Sequence, residues 1–132
     1  MDLKTLCEAF GPSGAEHEVR ALIKEAAIKL CDDVSIDRSG NVVARKKGTD
    51  ARKPSVTFAA HMDEIGFIVT GHTEDGMLRF RPIGGVDPRV VVSKWVALGK
   101  DRTKGVIGAM AIHLQTPADR ERVLDYDNLF ID

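Results

Sequence analysis

The sequence predicts an α/β fold in its first half, followed by a small barrel-like β region. Three observations support this prediction: an amphipathic helical stripe that ends near residue 30, an apolar run at residues 55–60, and a series of short strands separated by turn signals after residue 66. The alternation of helix and strand gives way to β character between Gly66 and His72. We therefore divide the chain into residues 1–68 and 69–132.

Two helices are predicted at the beginning of the chain. Residues 2–10 have helical character, and Gly11 followed by a proline closes this segment. Ser13 stands three residues before Glu16, which is the spacing of a capping box. We therefore expect Ser13 to cap a second helix, whose apolar stripe extends to Leu30.

A hairpin and a buried strand are predicted to follow the helices. Residues 34–37 and 41–46 are short β-branched runs on either side of a glycine-containing loop, the pattern of a hairpin. Residues 55–60 are apolar at nearly every position, as in a strand that is covered on both faces of an α/β sheet. This strand is expected to place His61 at its carboxyl end.

The second half is predicted to contain short strands and one helix. An Asp75-Gly76 turn favours a hairpin, and Thr116 followed by a proline and an acidic residue predicts the capped start of a short helix through Val123. The predicted strands are residues 67–70, 77–82, 90–92, 95–98 and 106–107, with a further strand beginning at 129–131.

Composition argues against two classes of partner. The 132 residues carry 19 basic and 20 acidic side chains, so no overall field favours nucleic acid. No apolar run approaches the roughly 20 residues that a membrane helix needs. Cys7 and Cys31 are far apart, and the N-terminus lacks a signal pattern, so we expect a reduced, cytoplasmic location.

The sequence His61-Met62-Asp63-Glu64 is the strongest chemical signal in the chain. A histidine followed two residues later by a carboxylate recurs at hydrolytic metal sites, where one side chain ligates and the other orients. In an extended backbone His61 and Asp63 share a side, which suits Asp63 as the orienting carboxylate. Without context, the histidine of such a motif is more often a structural residue held by hydrogen bonds. Glu64 is assigned no chemistry. A catalytic zinc needs about three protein ligands, so the motif supplies only part of a site.

The other three histidines carry weaker signals. His17 lies in the first turn of a predicted helix and His72 in a hairpin arm, so we expect both to be exposed. His113 has apolar neighbours, so a hydrogen-bonded position in the core is considered for it. None of the four histidines has the close spacing of a His-x-x-x-His motif.

Several stretches of the chain resemble one family, the TET-type (tetrahedral) aminopeptidases, also called glutamyl or deblocking aminopeptidases and, for some members, cellulase M or endoglucanase. These stretches follow one another in the family's order over nearly the whole chain, which a chance match to one short pattern does not do. They are Gly11-Pro12-Ser13-Gly14-Ala15-Glu16 with Val19-Arg20, Asp37-Arg38-Ser39-Gly40-Asn41, Ala60 to Phe67, Leu78 to Gly85, Gly105-Val106-Ile107-Gly108 and Leu129-Phe130-Ile131-Asp132.

The resemblance implies a catalytic α/β domain with two divalent metal ions, zinc or cobalt, and an inserted PDZ-like β domain that builds a hollow dodecamer. His61 matches the family's first metal ligand, and Asp63 matches the catalytic carboxylate that orients the site. The family's other ligands and its general base, in a Glu-Glu pair, come later than the part matched here. Residues 1–68 are therefore expected to begin the catalytic domain, and residues 69–132 to form part of the insert.

The function expected from this resemblance is that of a metallo-aminopeptidase that hydrolyses N-terminal residues from peptides. The 132-residue chain alone is expected to be inactive and to hold metal weakly or not at all, because it lacks the base and most ligands. The alternative interpretation is a non-catalytic folding or assembly fragment that self-associates through its β region. Glycosidase activity is not expected, since it requires two carboxylates facing each other, whereas Asp63 and Glu64 point to opposite sides.

Overall fold

A computed structural model describes residues 2–132, which form two compact units divided between Glu64 and Ile65. The predicted mixed α/β character is confirmed. In the structure the first unit ends at Glu64, four residues before the boundary that the sequence predicts after residue 68. The assignment of those two segments to a catalytic domain and an insert stays a prediction.

The first unit contains two helices and one hairpin, as predicted. Its elements are α1 at Leu3–Glu8, α2 at His17–Ile28, β1 at Asp33–Ile36 and β2 at Val42–Arg45. Asp2 caps α1 by accepting a hydrogen bond from the Thr5 backbone N–H at 2.8 Å. The two strands pair antiparallel, with Asp33 opposite Arg45 and Ile36 opposite Val42.

The prediction of a buried strand at residues 55–60 is wrong for this structure. Residues 54–60 have no regular secondary structure. Val56 is 77% exposed and Phe58 is 93% exposed. A strand covered on both faces needs neighbouring strands for its backbone groups and packed layers for its side chains. The described residues provide neither along this segment, so an exposed apolar run leads to His61.

The second unit is built on a curled, five-stranded antiparallel sheet in the order β3-β4-β7-β6-β5. A short helix, α3 at Pro117–Glu121, precedes the last strand, and three 3₁₀ turns lie at Pro88–Val90, Ile112–Leu114 and Tyr126–Asn128. The strands are β3 at Gly66–His72, β4 at Leu78–Ile83, β5 at Trp95–Leu98, β6 at Thr103–Ala109 and β7 at Leu129–Ile131.

In the second unit, the strand predicted at residues 90–92 and the core position considered for His113 are both wrong. Residues 90–92 do not form a strand, because Asp87 caps a 3₁₀ turn by accepting a hydrogen bond from the Arg89 backbone N–H at 2.9 Å. Hydrogen bonds from the Arg89 guanidinium, followed by the one from its backbone N–H, lower the pKa of Asp87 to about 2. His113 lies exposed in a 3₁₀ turn rather than in the core, whereas His17 and His72 are exposed as predicted.

Side chains from β4, β6 and β7 form the core of the second unit. Phe80, Ile107, Leu129 and Ile131 are each no more than 2% exposed. The Phe67 ring packs edge-on against Phe80 with centroids 5.0 Å apart. This core holds β7 between β4 and β6.

The core makes a prediction about stability. Leu129→Ala should lower the free energy of unfolding by about 2 to 5 kcal/mol, because it leaves a cavity in a fully buried position. Urea unfolding followed by circular dichroism measures the change. Leu114→Ala, at a position 67% exposed, is the matched control and should change stability by less than about 0.5 kcal/mol. Equal losses in the two variants would contradict this placement of the core.

Candidate functional site

His61 and Asp63 lie together at the end of the first unit, as the motif predicts. His61 Nδ1 is 2.9 Å from Asp63 Oδ1 and 3.0 Å from the Asp63 main-chain oxygen. An ionised carboxylate only accepts hydrogen bonds, so Nδ1 donates the ring proton, and the neutral tautomer with this proton has its lone pair at Nε2. The His61 side chain is 84% exposed, which leaves Nε2 accessible.

Asp63 is held by a second partner that the sequence did not indicate. Ser13 Oγ donates a hydrogen bond to Asp63 Oδ2, while Oδ1 faces His61. The hydrogen bond from Ser13, followed by that from His61, lowers the pKa of Asp63 below its usual range. The carboxylate is therefore ionised at neutral pH, which supports its role as an acceptor.

The predicted capping box at Ser13 is wrong. The helix α2 begins at His17 with Glu16 as its N-cap residue, and no side chain caps it. Ser13 stands outside the helix, so its hydroxyl reaches Asp63 instead. Glu16 accepts hydrogen bonds from the Gly14 backbone N–H at 2.7 Å and from Arg20 at 3.2 Å. Ser13 and Glu16 have the spacing of a capping box, but neither side chain binds the helix backbone as a capping box requires.

A pair of hydrogen bonds ties the Ser13 loop to the His61 segment. The Glu64 backbone N–H donates to the Gly11 carbonyl at 2.9 Å, and the Gly11 N–H donates to Glu64 Oε1 at 3.2 Å. A Cβ at residue 11 would lie 2.6 Å from Val19 Cγ2, so this close approach requires glycine. Glu64, to which the sequence assigned no chemistry, thus has a structural role.

The residues present fit one ligand of a metal site. Within residues 2–132, no group of three or more His, Cys, Asp or Glu side chains is arranged to hold a metal ion. His61 has the required chemistry, since an available Nε2 with Nδ1–H bound to a carboxylate is the usual arrangement of a metal-binding histidine. About three protein ligands are needed for a catalytic zinc.

Comparison with known proteins assigns the family. Residues 40–132 match the model of the M42 glutamyl aminopeptidase family. The chain is 37% identical to the lysyl aminopeptidase of Pyrococcus furiosus, over 98% of this chain and 38% of that protein. Among solved structures, a TET aminopeptidase from a marine sediment Thaumarchaeota archaeon matches with a TM-score of 0.88 and 37% identity, over 98% of this chain and 36% of that one.

A third relative is the TET1 peptidase of Pyrococcus horikoshii, which can assemble into a tetrahedron or a large octahedral shell. It matches with a TM-score of 0.79 and 36% identity, over 98% of this chain and 38% of that chain. By class, these relatives are peptidases. This chain belongs to the M42 glutamyl aminopeptidase family, which confirms the resemblance seen in the sequence.

The chain spans between 36% and 38% of the length of these three relatives. Across residues 2–132, no helix has both the length and the apolar character needed to cross a membrane.

The tie between Gly11 and Glu64 can be tested by substitution. Gly11→Ala should destabilise the first unit by about 1 to 3 kcal/mol, because its Cβ would overlap Val19. Hydrogen exchange at the Glu64 amide should accelerate, since this amide donates to Gly11. Gly48→Ala is the control, because a Cβ there meets nothing within 4 Å. Unchanged exchange at Glu64 in Gly11→Ala would show that the tie does not hold this segment.

Proposed function

We propose that His61 is the first metal ligand of a metal-dependent aminopeptidase that removes N-terminal residues from peptides. The observation that carries the proposal is the orientation of His61 by Asp63, with Nε2 left accessible. Membership of a generally metal-dependent aminopeptidase family supports it. In this proposal residues 1–68 begin the metal-binding catalytic domain, and residues 69–132 belong to a PDZ-like β insert.

The proposed metal ions are two divalent cations, zinc or cobalt, with His61 as one ligand and further ligands supplied by residues beyond those described. Such ions, when bound, polarise the scissile carbonyl and lower the pKa of a bound water. His61 offers a neutral imidazole nitrogen. Asp63 holds the ring proton at Nδ1 and so fixes which nitrogen faces the metal. Asp63 is thus a positioning residue rather than a ligand.

His61→Ala tests the proposal in a protein of full family length. We expect it to lose bound metal, measured by elemental analysis, and nearly all cleavage of aminoacyl-anilides, because the first ligand is gone. His72→Ala, which removes an exposed histidine of the second unit, should change neither. An unchanged metal content in His61→Ala would overturn its assignment as a ligand.

The same assay, with zinc or cobalt added, applies to the 132-residue chain by itself. No turnover is expected, since one histidine cannot hold a catalytic metal without further ligands. Metal-dependent cleavage by the purified chain, sensitive to His61→Ala, would mean that these residues form a complete site and that the proposed division of ligands is wrong.

A second candidate function, non-catalytic assembly through the β unit, is favoured by the edges of its sheet. The edge strands β3 and β5 carry exposed apolar side chains, with Ile68 at 55% and Trp95 at 74% exposure. Edge strands offer unpaired backbone groups to another chain. The assembly of the Pyrococcus horikoshii relative into closed shells also supports self-association. We propose that this chain forms a dimer or larger oligomer by pairing at these edges.

Light scattering over a dilution series tests this association. The chain should be oligomeric at high concentration, and Trp95→Lys should weaken association because a charge at an edge strand opposes pairing. Val123→Lys, at a position 75% exposed outside the sheet, is the control and should associate like the unchanged chain. A monomer at every concentration, with a cooperative thermal transition, would contradict self-association.

A further inference from the structure

The structure connects two of the stretches that carry the family resemblance, residues 11–20 and residues 37–41. Arg20 links them: its Nε donates to the Gly40 carbonyl at 2.7 Å, and its Nη2 donates to Glu16 Oε2 at 3.2 Å. The other Glu16 oxygen accepts from the Gly14 N–H at 2.7 Å. Gly14 is the neighbour of Ser13, so the connection reaches the residue that holds Asp63.

The ion pair in this connection is shielded compared with others in the same unit. The side chains of Arg20 and Glu16 are 23% and 21% exposed, whereas those of Lys29 and Glu25, an ion pair on the same helix, are 67% and 70% exposed. Exposed pairs are weakened by solvent and by side-chain freedom. The Arg20–Glu16 pair is therefore better suited to fixing a loop than the exposed pair is.

The loop that receives Arg20 is itself fixed. The Asp37 carboxylate accepts hydrogen bonds from the backbone N–H groups of Ser39 and Asn41, both at 2.9 Å. Gly40 has a φ of +87°, a conformation that favours glycine, and a Cβ there would lie 2.7 Å from Arg20 Nη2. The carbonyl that anchors Arg20 thus has a defined position.

At the other end, Asp63 uses both carboxylate oxygens. Oδ2 accepts from Ser13 and Oδ1 accepts from His61 Nδ1, so rotation of the carboxylate breaks both bonds. If Ser13 loses its hydroxyl, the carboxylate is free to rotate, and His61 Nδ1 keeps only the Asp63 main-chain oxygen, at 3.0 Å, as a fixed acceptor. The preference for the ring proton at Nδ1 over Nε2 is then weaker.

We propose that Ser13 is a positioning residue for His61, which it holds through Asp63 in the Nδ1–H tautomer, and that the Arg20–Glu16 pair holds Ser13 in place. That Nε2, left without a proton, binds a metal ion rests on the proposed function. The tautomer is a property of this chain without metal, so it is measured independently of that function.

The test is ¹⁵N NMR of the His61 ring in the labelled 132-residue chain at about pH 8, above the usual histidine pKa. The two tautomers differ in the chemical shifts of Nδ1 and Nε2. The unchanged chain should be predominantly Nδ1–H. Ser13→Ala should shift the population towards Nε2–H, and Ser13→Thr, which keeps a hydroxyl, should restore the original tautomer.

Ser39→Ala is the matched control, because only the backbone N–H of Ser39 takes part in the network described here. Glu16→Gln keeps the Ser13 hydroxyl but weakens the ion pair, so it should shift the tautomer in the same direction by less. It also carries the test if circular dichroism shows that Ser13→Ala does not fold.

Predominant Nε2–H in the unchanged chain would overturn the inference, as would an unchanged tautomer in a folded Ser13→Ala variant. If Ser13→Ala does not fold, an unchanged tautomer in Glu16→Gln overturns it. These failures would leave His61 as a metal ligand. Conversely, His61→Ala with full metal content would overturn the proposed function and leave the tautomer result standing.

Discussion

The tie between Gly11 and Glu64 is the constraint on which the candidate site depends. His61 and Asp63 lie in a segment without regular secondary structure, so neither helix nor strand hydrogen bonds fix their directions. The paired hydrogen bonds between residues 11 and 64 bring the Ser13 loop alongside this segment. Contact between Ser13 and Asp63 follows from that placement, and the orientation of His61 follows from Asp63.

The two units differ in what holds them together. The second unit has a continuous apolar core around Phe80, Ile107 and Leu129. Among the described residues of the first unit, the buried hydrophobic ones are Ala9 and Val19, while Phe58 and Leu30 are largely exposed. Directional polar contacts therefore matter more for geometry in the first unit, and the Arg20–Glu16 pair and the Asp37 turn are examples. The candidate site lies in this polar framework.

Local sequence patterns predicted the elements whose stabilising partners are close in the chain. The helix α2, the hairpin of β1 and β2, and the N-cap at Thr116 were confirmed because each is set by contacts that are local in the chain. The strand at residues 55–60 depends on neighbours elsewhere, and its prediction was wrong. The apolar setting of His113 was likewise misleading, because three apolar neighbours on an exposed turn do not make a core.

The candidate site was predictable only in part, for the same reason. The spacing of His61 and Asp63 was sufficient to predict that they share a side, and the structure brings them together. The contact between Ser13 and Asp63 joins residues 50 positions apart, and no local spacing encodes it. The family resemblance marked both stretches without showing that they touch.

Anomalous diffraction at the zinc edge, on crystals of the family-length protein grown with zinc, tests the central claim most directly. We predict a peak about 2.0 to 2.1 Å from His61 Nε2, the usual zinc–nitrogen distance, with Asp63 still at Nδ1. A zinc ion at Nδ1, or a metal site that does not include His61, would contradict the account.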